Sequence, residues 1–243
     1  MICFGDVFCT SNVQEALCHL MRKADTIASD GMRIGDLESY WELNGSSLVS
    51  SIIDGKYYPS VVKNYEITNS HGKRRTVSNQ GAVDRLICRM LSQVFQKRMD
   101  SLFSDRCFAY RPGKGVQKAV EMARTYVGAG KSIVVSIDIK DFFDSISIEV
   151  MMSKLKRLIS DERLLVLIER YMRCRILNDE EIVEKTSGIL QGNPLSPIFS
   201  NVYMREFDLF LDGKGYDWIR FADNIYMFFD EYEAAMEAYG IVC

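Results

Sequence analysis

The chain has 243 residues, 47% hydrophobic and 26% charged, with a net charge of −3 and a pI near 5.6. That is the balance of an ordinary globular protein with enough length for a substantial core. No apolar run approaches the roughly 20 residues of a membrane span, and Met1-Ile-Cys-Phe-Gly-Asp6 lacks the basic region of a secretory signal. A cytoplasmic protein without a membrane partner is therefore expected.

Seven cysteines, at 3, 9, 18, 88, 107, 174 and 243, include no Cys-x-x-Cys pair, and His19 and His71 stand at no ligand spacing. An odd, dispersed set reads as reduced thiols, not as zinc ligands or a disulfide frame. A negative net charge gives no general affinity for phosphates, so any nucleic-acid binding has to come from local clusters. Candidates are Lys73-Arg74-Arg75, Arg85 with Arg89, Lys97-Arg98, Arg106 with Arg111 and Lys114, and Lys154, Lys156 and Arg157.

In chain order, helical apolar spacing over 12–23 follows a cap at Ser11 or Asn12, Asp30-Gly31 makes a turn, and a second helix over 35–54 is stopped by Gly55. Residues 60–67 alternate as a strand and 73–78 pair back on them across the polar tip 69–72, which gives a hairpin with basic residues at its end. A long amphipathic helix over 82–102 precedes the turn Phe108-Ala-Tyr-Arg-Pro-Gly-Lys-Gly115 and a helix over 116–127. Ser132-Ile-Val-Val-Ser-Ile137 is apolar on both faces, which predicts a central strand running to Asp138. Helices over 147–159 and 162–175 should lie on one side of that sheet. A polar loop over 186–197 opens a helix over 198–211, since proline is tolerated best near a helix start. Strands 216–221 and 225–229 around Ala222-Asp223-Asn224 form a second hairpin, followed by a helix from about 231.

Two of these strands end in an aspartate, Asp138 and Asp223. A nucleotidyl-transfer site requires hard oxygen donors for a pair of magnesium ions, and two carboxylates, the adjacent Ile139 carbonyl and substrate phosphates would supply them. The ordered blocks Tyr110-Arg-Pro-Gly113, Ser136-Ile-Asp-Ile-Lys-Asp-Phe-Phe-Asp144, Gly188-Ile-Leu-Gln-Gly-Asn-Pro-Leu-Ser-Pro-Ile-Phe-Ser-Asn201 and Arg220-Phe-Ala-Asp-Asn224 resemble those of reverse transcriptases. The match is to the bacterial group II intron maturase branch and its CRISPR-associated relatives.

The resemblance implies an α+β right-hand polymerase, with an antiparallel palm sheet, packed helices and a fingers β-hairpin. Residues 1–130 would be mainly fingers and 131–243 mainly palm, ending before a thumb. It implies an RNA-directed DNA polymerase that extends a DNA or RNA primer on an RNA template with dNTPs, using two Mg²⁺ or substitute Mn²⁺ ions. Intron RNA or a CRISPR integrase would be further partners. Asp138, Asp223 and Asn224 fall at the catalytic positions, with Asp138, Ile139 and Asp223 as metal ligands. Lys63, Arg75, Phe143, Gln191 and Gly192 fall at dNTP-binding positions, and Phe143 stands where an aromatic ring excludes a ribose 2′-hydroxyl. Lys73, Arg74, Arg111, Pro112, Gly113 and Pro194 fall along the template and primer path.

Two residues depart from the family pattern. Asn224 replaces the second aspartate of the Tyr-Ala-Asp-Asp box, which removes one negative charge. Asn69 replaces a fingers-tip lysine. With the absent thumb, these departures support an alternative, a catalytically weakened or inactive palm-fold module for RNA binding and assembly. A palm-type nucleotidyl cyclase is a remoter alternative that leaves the basic hairpin and the 191–197 block without a task.

Overall fold

A computed structural model describes residues 1–68, 72, 74–178 and 181–242, apart from the side chains at 74, 75 and 178. The elements run α1 (Phe4–Phe8), α2 (Thr10–Leu20), α3 (Leu37–Ile53), β1 (Val62–Thr68), β2 (Arg74–Asn79), α4 (Ala82–Met99) and α5 (Val116–Gly128). Then follow β3 (Ile133–Asp138), α6 (Phe142–Ser145), α7 (Ile148–Lys156), α8 (Glu162–Met172), β4 (Arg175–Asn178) and β5 (Glu181–Glu184). The chain closes with α9 (Ser196–Gly213), β6 (Asp217–Phe221), β7 (Asn224–Phe229) and α10 (Tyr232–Val242). The expected tip of the first hairpin, with Asn69 and His71, lies outside the described residues.

The chain forms two compact units, Met1–Arg98 with Phe143–Ser196, and Met99–Phe142 with Pro197–Cys243. The first unit contains a four-stranded sheet in the order β2-β1-β4-β5. β1 and β2 pair antiparallel from Lys63↔Asn79 to Thr68↔Arg74, and β4 joins β1 in parallel at Val62↔Ile176. The β4–β5 hairpin is a finding beyond the sequence reading, which extended a helix to residue 175. α8 ends at Met172, and Ile176, Leu190, Val62 and Cys174 then form a buried cluster that a helical continuation would break.

Apolar periodicity accounts for the helices of this unit. Val13, Ala16 and Leu17 are the buried face of α2, and Leu164, Leu165, Leu167, Ile168, Tyr171 and Met172 that of α8. α7 and α8 pack together, and α8 packs on α3. Both belong to the first unit and not, as expected, to the layer over the β3 sheet. α2 begins at Thr10, so neither Ser11 nor Asn12 caps it. The Asn12 amide is buried instead, donating to the Val7 carbonyl at 2.7 Å and the Met90 carbonyl at 3.1 Å.

A second buried polar centre organises the same unit. Asp84 on α4 accepts from Tyr57 Oη at 2.5 Å, Ser60 N at 3.0 Å, Tyr171 Oη at 3.0 Å and Ser60 Oγ. Burial pushes its carboxyl above the usual range, against the pull of these donors. Two segments distant in sequence, 57–60 and α8, are thereby held to α4, because their donors would otherwise lack a partner.

The second unit contains a three-stranded antiparallel sheet in the order β3-β7-β6. β3 is therefore an edge strand, not the central one. Its residues alternate between half-buried Ile133, Val135 and Ile137 and exposed Val134, Ser136 and Asp138. Val134 shares a face with Phe228, and α5 packs on that face over β6 and Phe228 of β7 but leaves Val134 exposed. Phe108, Ala119, Ile219 and Phe228 form the core beneath α5. α10 packs against β3 and β7.

Two substitutions test how the first unit is held. Asp161 caps α8 through Arg163 N at 3.1 Å and binds the Phe4 amide at 2.9 Å, and its bonds to Arg163 carry its pKa down to about 2. Since the folded value lies below the unfolded one, this stabilisation is present above about pH 4 and disappears as pH falls toward 2. Asp161→Ala should cost about 1 kcal/mol at pH 7 in urea denaturation, and the difference should vanish near pH 2. Gly188 has φ 74°, and a Cβ there would lie 2.7 Å from the Phe143 carbonyl oxygen and 2.8 Å from Asp144 Cα. Gly188→Ala should lower stability by about 2–4 kcal/mol in the same measurement.

Candidate active site

The aspartates singled out in the sequence lie at one end of the three-stranded sheet. β3 and β7 pair in unbroken antiparallel register from Ile133↔Phe229 to Asp138↔Asn224. Directly opposed residues share a face, so Asp138 stands across from Asn224, with Asp223 next to it in the turn. One residue beyond the strand, the Ile139 amide donates to the Asp223 carbonyl at 3.3 Å. This bond ties the chain after Asp138 to the Asp223 backbone.

The β6–β7 connection has only two residues, since Phe221 pairs with Asn224. Ala222 adopts φ 59°, as the first position of a tight hairpin turn demands when glycine is absent. Asp138 is exposed, while Asp223 and Asn224 are half-buried. Asn224 Nδ2 donates to Asp223 Oδ1 at 3.1 Å. An aspartate at 224 would have no such donor and would repel its neighbour, so the amide changes both the charge and the bonding of the site. Among the described residues, no group of three or more His, Cys, Asp or Glu side chains gathers as a metal cluster.

An arginine absent from the expected site supports this turn. Arg220 is completely buried, and its guanidinium forms a bidentate pair with the equally buried Asp208, at 2.8 Å and 2.6 Å. Its remaining donors reach Asn201 Oδ1 at 3.1 Å, the Ala222 carbonyl at 2.9 Å and Cys107 Sγ at 3.2 Å. The sequence signal was an arginine in an otherwise apolar strand, which must find a counter-charge when buried. Its partner, on α9, had no local mark.

The second block, Tyr110-Arg-Pro-Gly113, is a turn with φ 63° at Tyr110 and 67° at Gly113. The side chain of Arg111 is only 5% exposed. It donates to both carboxylate oxygens of Asp100, to the Asp100 carbonyl, and to the carbonyls of Ser104 and Cys107. All five N–H groups are thus engaged. Direct contact with a template would require breaking these bonds, whereas Pro112 and Gly113 are exposed.

The remaining candidates fall in the first unit. Phe143 is half-buried, and its carbonyl accepts from the Ile189 amide at 2.8 Å. Gln191 is half-buried, and its backbone carbonyl accepts from the Ser78 amide at 2.9 Å, which fastens the loop before α9 to β2. Gly192 has φ 96°, and a Cβ there would meet Val77 Cγ1 at 3.2 Å. Glycine is thus required by the approach to β2 as well as by backbone conformation. Pro194 is half-buried, and Lys63 is exposed on β1 opposite Asn79. Lys73 and the side chains of Arg74 and Arg75 lie outside the described residues.

Residues 67–242 match the family Reverse transcriptase (RNA-dependent DNA polymerase). Protein YkfC of Escherichia coli (strain K12) is 24% identical over 192 residues, which cover 77% of this chain and 50% of that protein. Group II intron-encoded protein LtrA of Lactococcus lactis subsp. cremoris is 26% identical over 165 residues, 68% of this chain and 27% of LtrA. A chain of the solved partial Cas6-RT-Cas1–Cas2 complex superimposes with a TM-score of 0.58 at 21% identity, covering 97% of this chain and 39% of that one. This chain therefore spans half or less of the length of these relatives. No described helix is long and apolar enough to cross a membrane. The family match, the fold and the intron-encoded relatives agree, and the chain belongs to the reverse transcriptase (RNA-dependent DNA polymerase) family.

Proposed function

We propose that this chain forms the fingers and palm of an RNA-directed DNA polymerase, which adds dNTPs to a primer 3′-hydroxyl on an RNA template. The observation that carries this reading is the juxtaposition of Asp138 with the Asp223–Asn224 turn, fixed by the β3–β7 register and the Ile139–Asp223 backbone bond. The palm label belongs with the unit bearing these aspartates, and the fingers label with the unit containing most of residues 1–130.

The donor set suits Mg²⁺ or Mn²⁺, since exposed Asp138 and half-buried Asp223 offer hard carboxylate oxygens and leave room for water and phosphate ligands. Asp138, Asp223 and the Ile139 carbonyl would hold the ions. When bound, the ions lower the pKa of the attacking hydroxyl and offset charge on the leaving oxygen. The chain's own residues supply position. Phe143 limits the space beside the sugar, Gln191 and Gly192 shape the loop fastened to β2, and Lys63 and Arg75 bring positive charge to the triphosphate. Lys73, Arg74, Pro112, Gly113 and Pro194 border the template and primer, with Arg111 holding its turn from within.

A second reading is favoured by one contact. Asn224 donates to a carboxylate oxygen that a metal would use, which suits a palm retained as an RNA-binding and assembly module. Intron RNA or a CRISPR integrase would then be the partner, as the names of the relatives suggest.

Extension of oligo(dT) on poly-rA with dTTP and Mg²⁺ or Mn²⁺ separates these readings. The polymerase reading expects extension that falls at least about a hundredfold in Asp138→Ala and rises in Asn224→Asp. Template binding that weakens steeply with salt, without extension in any variant, would establish the assembly module instead. Phe143→Ala should raise ribonucleotide use by about ten- to a hundredfold in the same assay. Unchanged sugar preference would remove Phe143 from the sugar site.

A further inference from the structure

We infer that Arg220 is a positioning residue for the metal-binding turn: it fixes the Ala222 carbonyl and so sets the backbone from which Asp223 projects. The inference rests on the proposed reading of Asp138 and Asp223 as metal ligands.

Arg220 lies on the opposite face of the sheet from Asp138, because it pairs with Ile225 while Asp138 pairs with Asn224. It does not reach the metal position itself. Its five N–H groups meet five acceptors: Nε and one Nη2 hydrogen go to Asp208, the other Nη2 hydrogen to Cys107 Sγ, and the two Nη1 hydrogens to Asn201 Oδ1 and the Ala222 carbonyl. Two of these acceptor groups are themselves held. The Cys107 thiol donates to Asn201 Oδ1 at 3.3 Å, and Asn201 Nδ2 donates to the Ala109 carbonyl at 3.0 Å. The backbone of Arg220 is clamped as well, by bonds to the Arg106 carbonyl and from the Phe108 amide, both 2.9 Å.

Only one of the five bonds reaches the turn, and it falls on the residue that most needs support. Ala222 holds φ 59°, which L-residues other than glycine disfavour, and such a conformation persists only where neighbours over-determine it. A bond from a rigid, fully engaged guanidinium supplies that constraint. Lysine would keep the charge but has three donors and no planar fork, so it cannot serve Asp208, Asn201, Cys107 and Ala222 together. Removing Arg220 alone would strand the Asp208 carboxylate in the core. Replacing both partners with apolar side chains of similar size removes the bond to Ala222 without that penalty.

The test compares the chain with Asp208→Leu/Arg220→Met, Arg220→Lys and Asp138→Ala. One readout is Mn²⁺ binding, followed by loss of the free-ion EPR signal; the other is hydrogen exchange of the Ile139 amide, whose acceptor is the Asp223 carbonyl. With thermal unfolding unchanged, the double variant should exchange Ile139 about tenfold faster and bind Mn²⁺ about tenfold more weakly. Arg220→Lys should change both in the same direction and cover the case in which the double variant does not fold. Wild-type exchange at Ile139 in folded variants overturns the inference, as does faster exchange with unchanged Mn²⁺ affinity. If the parent chain shows no Mn²⁺ binding that Asp138→Ala removes, the metal-site reading fails, and Ile139 exchange still decides whether Arg220 orders the turn.

Discussion

The register between β3 and β7 is the constraint on which the candidate site depends. Side chains alternate across a sheet, so a slip of one residue would carry Asp138 to the face occupied by Trp218 and Arg220 and bring an apolar residue opposite Asn224. Six consecutive pairs, from Ile133↔Phe229 to Asp138↔Asn224, oppose that slip. The apolar residues near the start of β3 thus determine where the carboxylate at its end is presented. Packing of the sheet and placement of the site are one structural fact.

The charged groups divide by position. Arg220 with Asp208, the side chain of Arg111, and Asp84 are buried and saturated with hydrogen bonds. Asp138 and Lys63 are exposed. Saturated buried groups specify geometry and have nothing left for a ligand, whereas exposed groups contribute little to stability and remain available. An arginine beside a turn can therefore shape a binding path without touching what passes along it. Arg111 and Arg220 both act through backbone carbonyls, and in each case the guanidinium's fixed fork is what the contacts require.

Much of this was legible in the sequence because local physics dominates where it was. Alternation and turn residues located both hairpins, 62–79 and 217–229, apolar periodicity located α4, and the proline at its start located α9. The two aspartates were legible because Asp138 ends one apolar strand and Asp223 stands in the turn after another. What escaped depended on distant partners. β4 and β5 are short, and β4 is stabilised by parallel pairing with β1, more than a hundred residues earlier. The edge position of β3 depends on its having β7 on one side only, a pairing with a strand some ninety residues later that local composition does not record. The cap expected at Asn12 failed because its amide serves Val7 and Met90. Arg220 was visible within its block, but its meaning lay in Asp208 on another element.

The interleaving of the two units bears on how the molecule is made. Each is assembled from two separated stretches, with crossings after Arg98, Phe142 and Ser196. A ribosome emitting the chain in order delivers the first hairpin long before β4 is available to pair with it, and β3 long before β7. Until those later strands emerge, β1 and β3 present open hydrogen-bonding edges. A cut in the gene anywhere between about residues 99 and 195 would leave neither body whole, because each needs chain from both sides of any such cut.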